Sequence, residues 1–117
     1  KNAAALVILI SRTHNISAAT GERRPAYTHA FDTGAAWMAL ALQATKLGLH
    51  AHGMGGIDRA KAMSVLDVPA EDYRVEAAAA IGRLANKETL PDDLRAREMP
   101  SQRKALSEVA FEGKFAG

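Results

Sequence analysis

The chain has no cysteine. That excludes disulfides, thiol nucleophiles and cysteine-held zinc or iron–sulfur sites, and it fits a cytoplasmic protein. No stretch of about 18 uninterrupted apolar residues occurs, so no membrane-spanning helix is expected. No secretory signal is visible. Charge of one sign is lacking too: 15 Lys and Arg stand against 13 Asp and Glu, a net +2. That small excess is spread along the chain and makes no electrostatic case for nucleic acid. There is no internal repeat and no low-complexity tract. What is present is a globular composition, 48% apolar and 24% charged over 117 residues, enough for one small domain. The first residue is Lys and an apolar run begins at Ala3, which suggests a clipped or processed product.

That run, "AAALVILIS" at 3–11, is short, β-branched at its centre and closed by polar residues. It predicts a strand buried on both faces. Residues 12–29 are polar and predict a long loop, of a length usually reserved for functional or mobile segments. Residues 31–48 predict a helix, with Asp32 or Thr33 as its cap and Gly48 as a left-handed stop. Trp37, Leu40, Ala41, Ala44 and Leu47 follow helical spacing, and Gly34, Ala35, Ala36 and Ala39 leave little polar face. A helix apolar nearly all round belongs in a core or between subunits, with Trp37 as core.

Residues 49–53 predict a short strand with Leu49, Ala51 and Gly53 on one face and His50 and His52 on the other. A second helix is expected over 58–66, with Asp58 near its start, followed by a turn around Pro69. In "YRVEAAAAIG", residues 73–82, four alanines favour a helix. The alternation of Tyr73, Val75 and Ala77 and the Gly-Arg ending favour a strand, which is the reading adopted. Residues 83–104 are charged, with a short helix expected at 92–98. The tail predicts a helical turn and then an extended "AFEGKF", and the tail's apolar Val109, Phe111 and Phe115 lack a home in so small a body. A partner subunit would supply one. The whole order describes mixed α and β layers.

Two constellations could carry chemistry. Gly53, Met54, Gly55 and Gly56 lie between a strand and a helix start. Glycine lacks a Cβ, so its backbone N–H groups can come close to a ligand, and a helix start favours negative charge. An ordinary tight turn explains the glycines without any ligand, and they do not form Gly-x-Gly-x-x-Gly. In "PSQRKAL", Arg103 and Lys104 are adjacent cations suited to a phosphate, or simply solvated surface charge. His50 and His52 have a spacing that can ligate a metal, but no third ligand is placed, so His14, His29, His50 and His52 read as hydrogen-bonded imidazoles. No serine sits in a nucleophile elbow, and Glu76, Glu88 and Asp92 read as solvated charges rather than a carboxylate pair. No side chain is assigned as catalytic and no metal site is expected.

Taken together, the segments resemble the nitroreductase family of FMN-dependent oxidoreductases. "AAALVILIS" looks like that family's central strand. "FDTGAAWMALALQATKLGLHAHGMGGID" is similar to its long helix, next strand and flavin-contacting loop. "YRVEAAAAIGR" and "PSQRKALSEVAFEGKF" are similar to its following strand, phosphate-binding segment and C-terminal arm. The resemblance covers residues 1–117 as the C-terminal part of such a domain, the N-terminal half being absent. It implies an α+β fold with a mixed, mostly antiparallel sheet and flanking helices. It further implies FMN lined by Gly53, Met54, Gly55 and Gly56, with Arg103 and Lys104 on its phosphate. The implied partners are NAD(P)H, a nitro, quinone or similar acceptor, and a homodimer or a second chain supplying the N-terminal half; neither nucleic acid nor membrane is implied. No side chain need act as acid or base for a hydride step that the cofactor performs. The alternatives are a truncated dimerisation remnant without flavin and a phosphate- or nucleotide-binding module.

Overall fold

The structure, a computed structural model, describes residues 3–114. The chain forms two compact units, residues 1–84 and 85–117. In the first unit the backbone builds a three-stranded antiparallel sheet in the order β1-β5-β4. Its strands are β1 (Ala5–Arg12), β4 (His50–Met54) and β5 (Tyr73–Gly82). Helices α1 (His29–Lys46) and α2 (Arg59–Val65) follow from the same chain, and β2 (His14–Ile16) pairs with β3 (Arg23–Pro25) in a separate antiparallel ribbon.

Strand β5, the segment whose alanines favour a helix, is the centre of the sheet. It pairs with β1 from Ala5↔Ile81 to Arg12↔Tyr73 and with β4 from His50↔Gly82 to Met54↔Ala78. A central strand sandwiched between two neighbours and two helices has little room on either face, and alanine fills it. Ala78 and Ala79 are buried, and Ala79 is fully so. Alternation along the strands then assigns the faces. Gly53 points to Trp37 of α1, while Met54, Ala78, Leu6 and Ile8 point to the side of α2.

Helix α1 starts two residues earlier than the sequence pattern indicates. Thr28 is its N-cap, not Asp32 or Thr33. Asp32 accepts instead from the Thr28 hydroxyl (2.8 Å), and the Thr33 hydroxyl donates to the His29 carbonyl (2.8 Å), so both side chains are engaged inside the first turns. The C-terminal end is as expected. Gly48 has φ +70°, and Leu49 N–H reaches back to the Ala44 carbonyl (2.9 Å), closing a left-handed cap. In α2, Asp58 caps as expected by accepting from Lys61 N–H at 2.9 Å.

Three expectations change. The loop expected over 12–29 contains the β2–β3 ribbon, whose three-residue strands are too short to leave a pattern in the sequence. Strand β1 is not buried on both faces: Leu6 is 65% exposed, because the two turns of α2 leave an open, apolar cavity of about 490 Å³ beside it. Helix α1 buries only Ala44, while Phe31 (78% exposed), Met38 and Leu42 face outward. Trp37 is half-buried over the sheet.

In the second unit the expected short helix is present as α3 (Asp92–Arg97). The tail has a single 3-10 turn at Leu106–Glu108. Residues 110–114 then bend at Gly113 (φ +81°) and form no strand, so the extended reading is corrected for them. A left-handed glycine turns the backbone where an extended run would need it straight. Phe115 lies outside the described residues. No helix among the described residues is long and apolar enough to cross a membrane.

Candidate functional site

The glycine segment begins as the last residues of β4 and ends at the cap of α2. Its glycines differ in what explains them. A Cβ built on Gly53 would stand 3.0 Å from Trp37 Cζ2 and 3.3 Å from Cε2. Packing of α1 on the sheet therefore accounts for glycine at that position. Met54 is the last β4 residue in the ladder and lines the apolar cavity with Ile57 and Ala62. Gly55 and Gly56 have nothing within 4 Å of where a Cβ would stand, and neither has a positive φ. Neither crowding among the described residues nor backbone strain requires glycine there. Their amides are also outside the backbone hydrogen bonds of turns and caps. Two open glycines beside an apolar wall fit the edge of a flat aromatic cofactor, which needs close approach of the main chain.

Arg103 and Lys104 lie in the second unit, in irregular backbone before the 3-10 turn. The Arg103 guanidinium donates to Ser101 Oγ at 3.1 Å. Among the described residues neither cation pairs with a carboxylate, in contrast to Arg95, which bridges Glu88 (3.2 Å) and Asp92. Two uncompensated cations suit a phosphate dianion.

Sequence reasoning missed a polar cluster on the α1 face of the sheet. Ser11 is 3% exposed, the one buried polar residue among those described. Its hydroxyl donates to Glu76 Oε1 at 2.6 Å, and its oxygen lies 2.9 Å from His29 Nδ1, the first residue of α1. With the hydroxyl proton committed to Glu76, the serine oxygen accepts from the imidazole, which selects the Nδ1–H tautomer. Arg74 closes the cluster with two hydrogen bonds to the Glu76 carboxylate, 3.0 and 2.9 Å. Burial pushes the Glu76 carboxyl up, but the Ser11 hydroxyl, the Arg74 guanidinium and His29 together pull it further down, so the net pKa is lowered. Glu76 is thus not the solvated charge expected from the sequence. The arrangement is no hydrolytic triad, because the serine hydroxyl proton points at the carboxylate and not at a histidine base.

Glu76 also marks a bulge. The register runs Leu9↔Ala77 and then Ile10↔Val75, leaving Glu76 without a β1 partner. A glutamate set between Val75 and the alanine run 77–80 was the available signal for both the bulge and the cluster. Of the histidines, His29 and His14 (2.9 Å from the Thr13 hydroxyl) are hydrogen-bonded as expected. His50 and His52 lie exposed on edge strand β4. No three potential metal ligands come together among the described residues.

The nitroreductase family matches over residues 1–83. The structure superposes on a crystal structure of an oxidoreductase containing FMN with a TM-score of 0.95 and 55% identity, covering 100% of this chain and 58% of that one. A nitroreductase family protein from Clostridium difficile gives 0.64 at 16% identity, covering 97% of this chain and 62% of its own. One from Streptococcus pneumoniae gives 0.55 at 24% identity, covering 73% and 37%. These two likenesses bear on the fold alone. The chain thus spans less than two thirds of the length of each of these proteins. Among curated proteins none matches. The antiparallel sheet, its flanking helices and the match over most of the sequence make this chain a member of the nitroreductase family.

Proposed function

We propose that this chain is part of an FMN-dependent oxidoreductase, with the Gly55–Gly56 amides at the edge of the flavin ring. The observation that carries the reading is the open space at both glycines, which nothing among the described residues explains. The relative that shares 55% identity is an oxidoreductase containing FMN, which supports the same cofactor here. FMN, when bound, would supply the redox chemistry by which reducing equivalents from NAD(P)H reach a nitro, quinone or similar acceptor. The chain's own residues bind and orient. In the first unit Gly55 and Gly56 offer main-chain donors and Met54 and Ile57 give the apolar wall next to them; in the second unit Arg103 and Lys104 are the cations suited to a phosphate. Gly53 contributes backbone only, its bare Cα being taken up by Trp37.

The outward apolar row of α1, Phe31, Met38 and Leu42, supports a homodimer or a second chain packed on that helix. The lack of cysteine agrees with a cytoplasmic setting.

The test is a visible absorbance titration of the purified chain with FMN. Saturable binding with a perturbed flavin spectrum is expected, and Arg103→Ala should weaken it at least tenfold, on the order of 1.4 kcal/mol or more. A chain that leaves the flavin spectrum unchanged at all concentrations refutes the reading. Unchanged affinity in Arg103→Ala removes the phosphate assignment.

A further inference from the structure

Strand β4 leaves the sheet after Met54↔Ala78, just before β5 reaches its bulge at Ala77 and Glu76. At Glu76 the backbone of β5 has no ladder partner on either side: β4 has peeled away, and β1, which still pairs Leu9 with Ala77, has skipped Glu76. An unpaired carbonyl at such a place needs another donor. Arg59 provides it, its Nη2 donating to the Glu76 carbonyl at 3.3 Å. Arg59 is the first residue of α2, directly after the Asp58 cap. The four residues 55–58 are therefore held at both ends by β5, through the Met54↔Ala78 pairing on one side and the Arg59 clasp on the other. The Glu76 residue that offers the carbonyl is itself fixed, since Ser11, His29 and Arg74 anchor its carboxylate from the α1 side.

We propose that Arg59 is a positioning residue that sets where the Gly55 and Gly56 amides sit, by tying the start of α2 to the bulge of the strand that β4 has just left. The tether is a property of the chain alone. Its consequence for a cofactor rests on the flavin reading above, and the experiment separates the two.

The measurement is the backbone ¹⁵N order parameter of Gly55 and Gly56 in the full 117-residue chain, compared for wild type, Arg59→Met and Arg59→Lys. Methionine keeps much of the apolar stem and removes the donors. Lysine keeps a donor of similar reach. The tether predicts values near the rigid range, about 0.85, in wild type and below about 0.6 in Arg59→Met, with partial recovery in Arg59→Lys and unshifted β1 and β5 resonances. Values already below about 0.6 in wild type, or unaltered by Arg59→Met, overturn it. FMN affinity is read on the same samples. Lost loop order with weakened FMN supports both proposals. Lost loop order with unaltered FMN binding supports the tether and counts against the flavin reading.

Discussion

Replacing Gly53 by alanine puts the packing account of β4 to a quantitative test. The new Cβ would meet the Trp37 indole at 3.0 Å, a few tenths of an ångström inside ordinary contact. The ring lies between helix α1 and the sheet, so relief requires the helix to lift or the ring to leave its rotamer. Overpacking of this kind costs about 1–3 kcal/mol, and removing a strand glycine returns about 0.5–1 kcal/mol of chain entropy. The net expectation is a destabilisation of about 1 kcal/mol, a fall in Tm of roughly 4–8 °C for a unit of this size. Trp37 is the sole tryptophan, so its fluorescence reports the same event directly. Gly56→Ala is the control: with nothing within 4 Å of the new methyl, it should stay within about 0.5 kcal/mol of wild type. A Gly53→Ala protein with unaltered Tm and unaltered tryptophan emission would refute the claim that Trp37 is why residue 53 is glycine.

Gly48→Ala should cost about 1 kcal/mol in urea unfolding, because φ is +70° and no neighbour is crowded, so strain is the whole effect. Asp58→Ala removes the bond to Lys61 N–H and should cost about 1 kcal/mol, seen as earlier melting of α2. Glu76 gives a pH signature. Its folded pKa is lowered, so the unfolded chain binds more protons in the acid range. The stability it contributes is therefore full above the ordinary carboxylate pKa and is lost as pH falls through the depressed one. Glu76→Gln should flatten that acid limb in a series of denaturation curves, and an unaltered limb would show that the cluster does not stabilise the fold through its charge.

The strands and helices were legible where side-chain pattern and local chemistry agreed. Tyr73, Val75 and the Gly82 ending marked β5 against the helix propensity of its alanines, and the structure shows that those alanines serve close packing between two neighbouring strands. Gly48 and Asp58 were readable because a left-handed stop and an N-cap demand particular residue types. The β2–β3 ribbon was not readable, since three residues a side leave no periodicity. The start of α1 was missed because Thr28 makes no side-chain cap hydrogen bond, so no capping chemistry marks where the backbone begins the helix. Burial was overestimated for β1 and α1. Apolar composition says which faces seek cover, and it does not say whether the described residues provide it. The candidate site was legible in its glycines but not in their division of labour. That Gly53 answers to Trp37, while Gly55 and Gly56 answer to nothing among the described residues, is a fact of three dimensions. Ser11 and Glu76 escaped because a lone polar residue in an apolar strand looks like a solvated edge until its partners, sixty-odd positions away, are seen.

The central claim is that the space over Gly55 and Gly56 is kept clear for a flavin. The most direct measurement is FMN binding by wild type and Gly56→Val, followed by flavin absorbance with Tm recorded on the same samples. The account predicts saturable binding by wild type and at least a tenfold loss in Gly56→Val, with the melting temperature little altered. Equal FMN binding by the two proteins, with the valine in place and the fold intact, would contradict it.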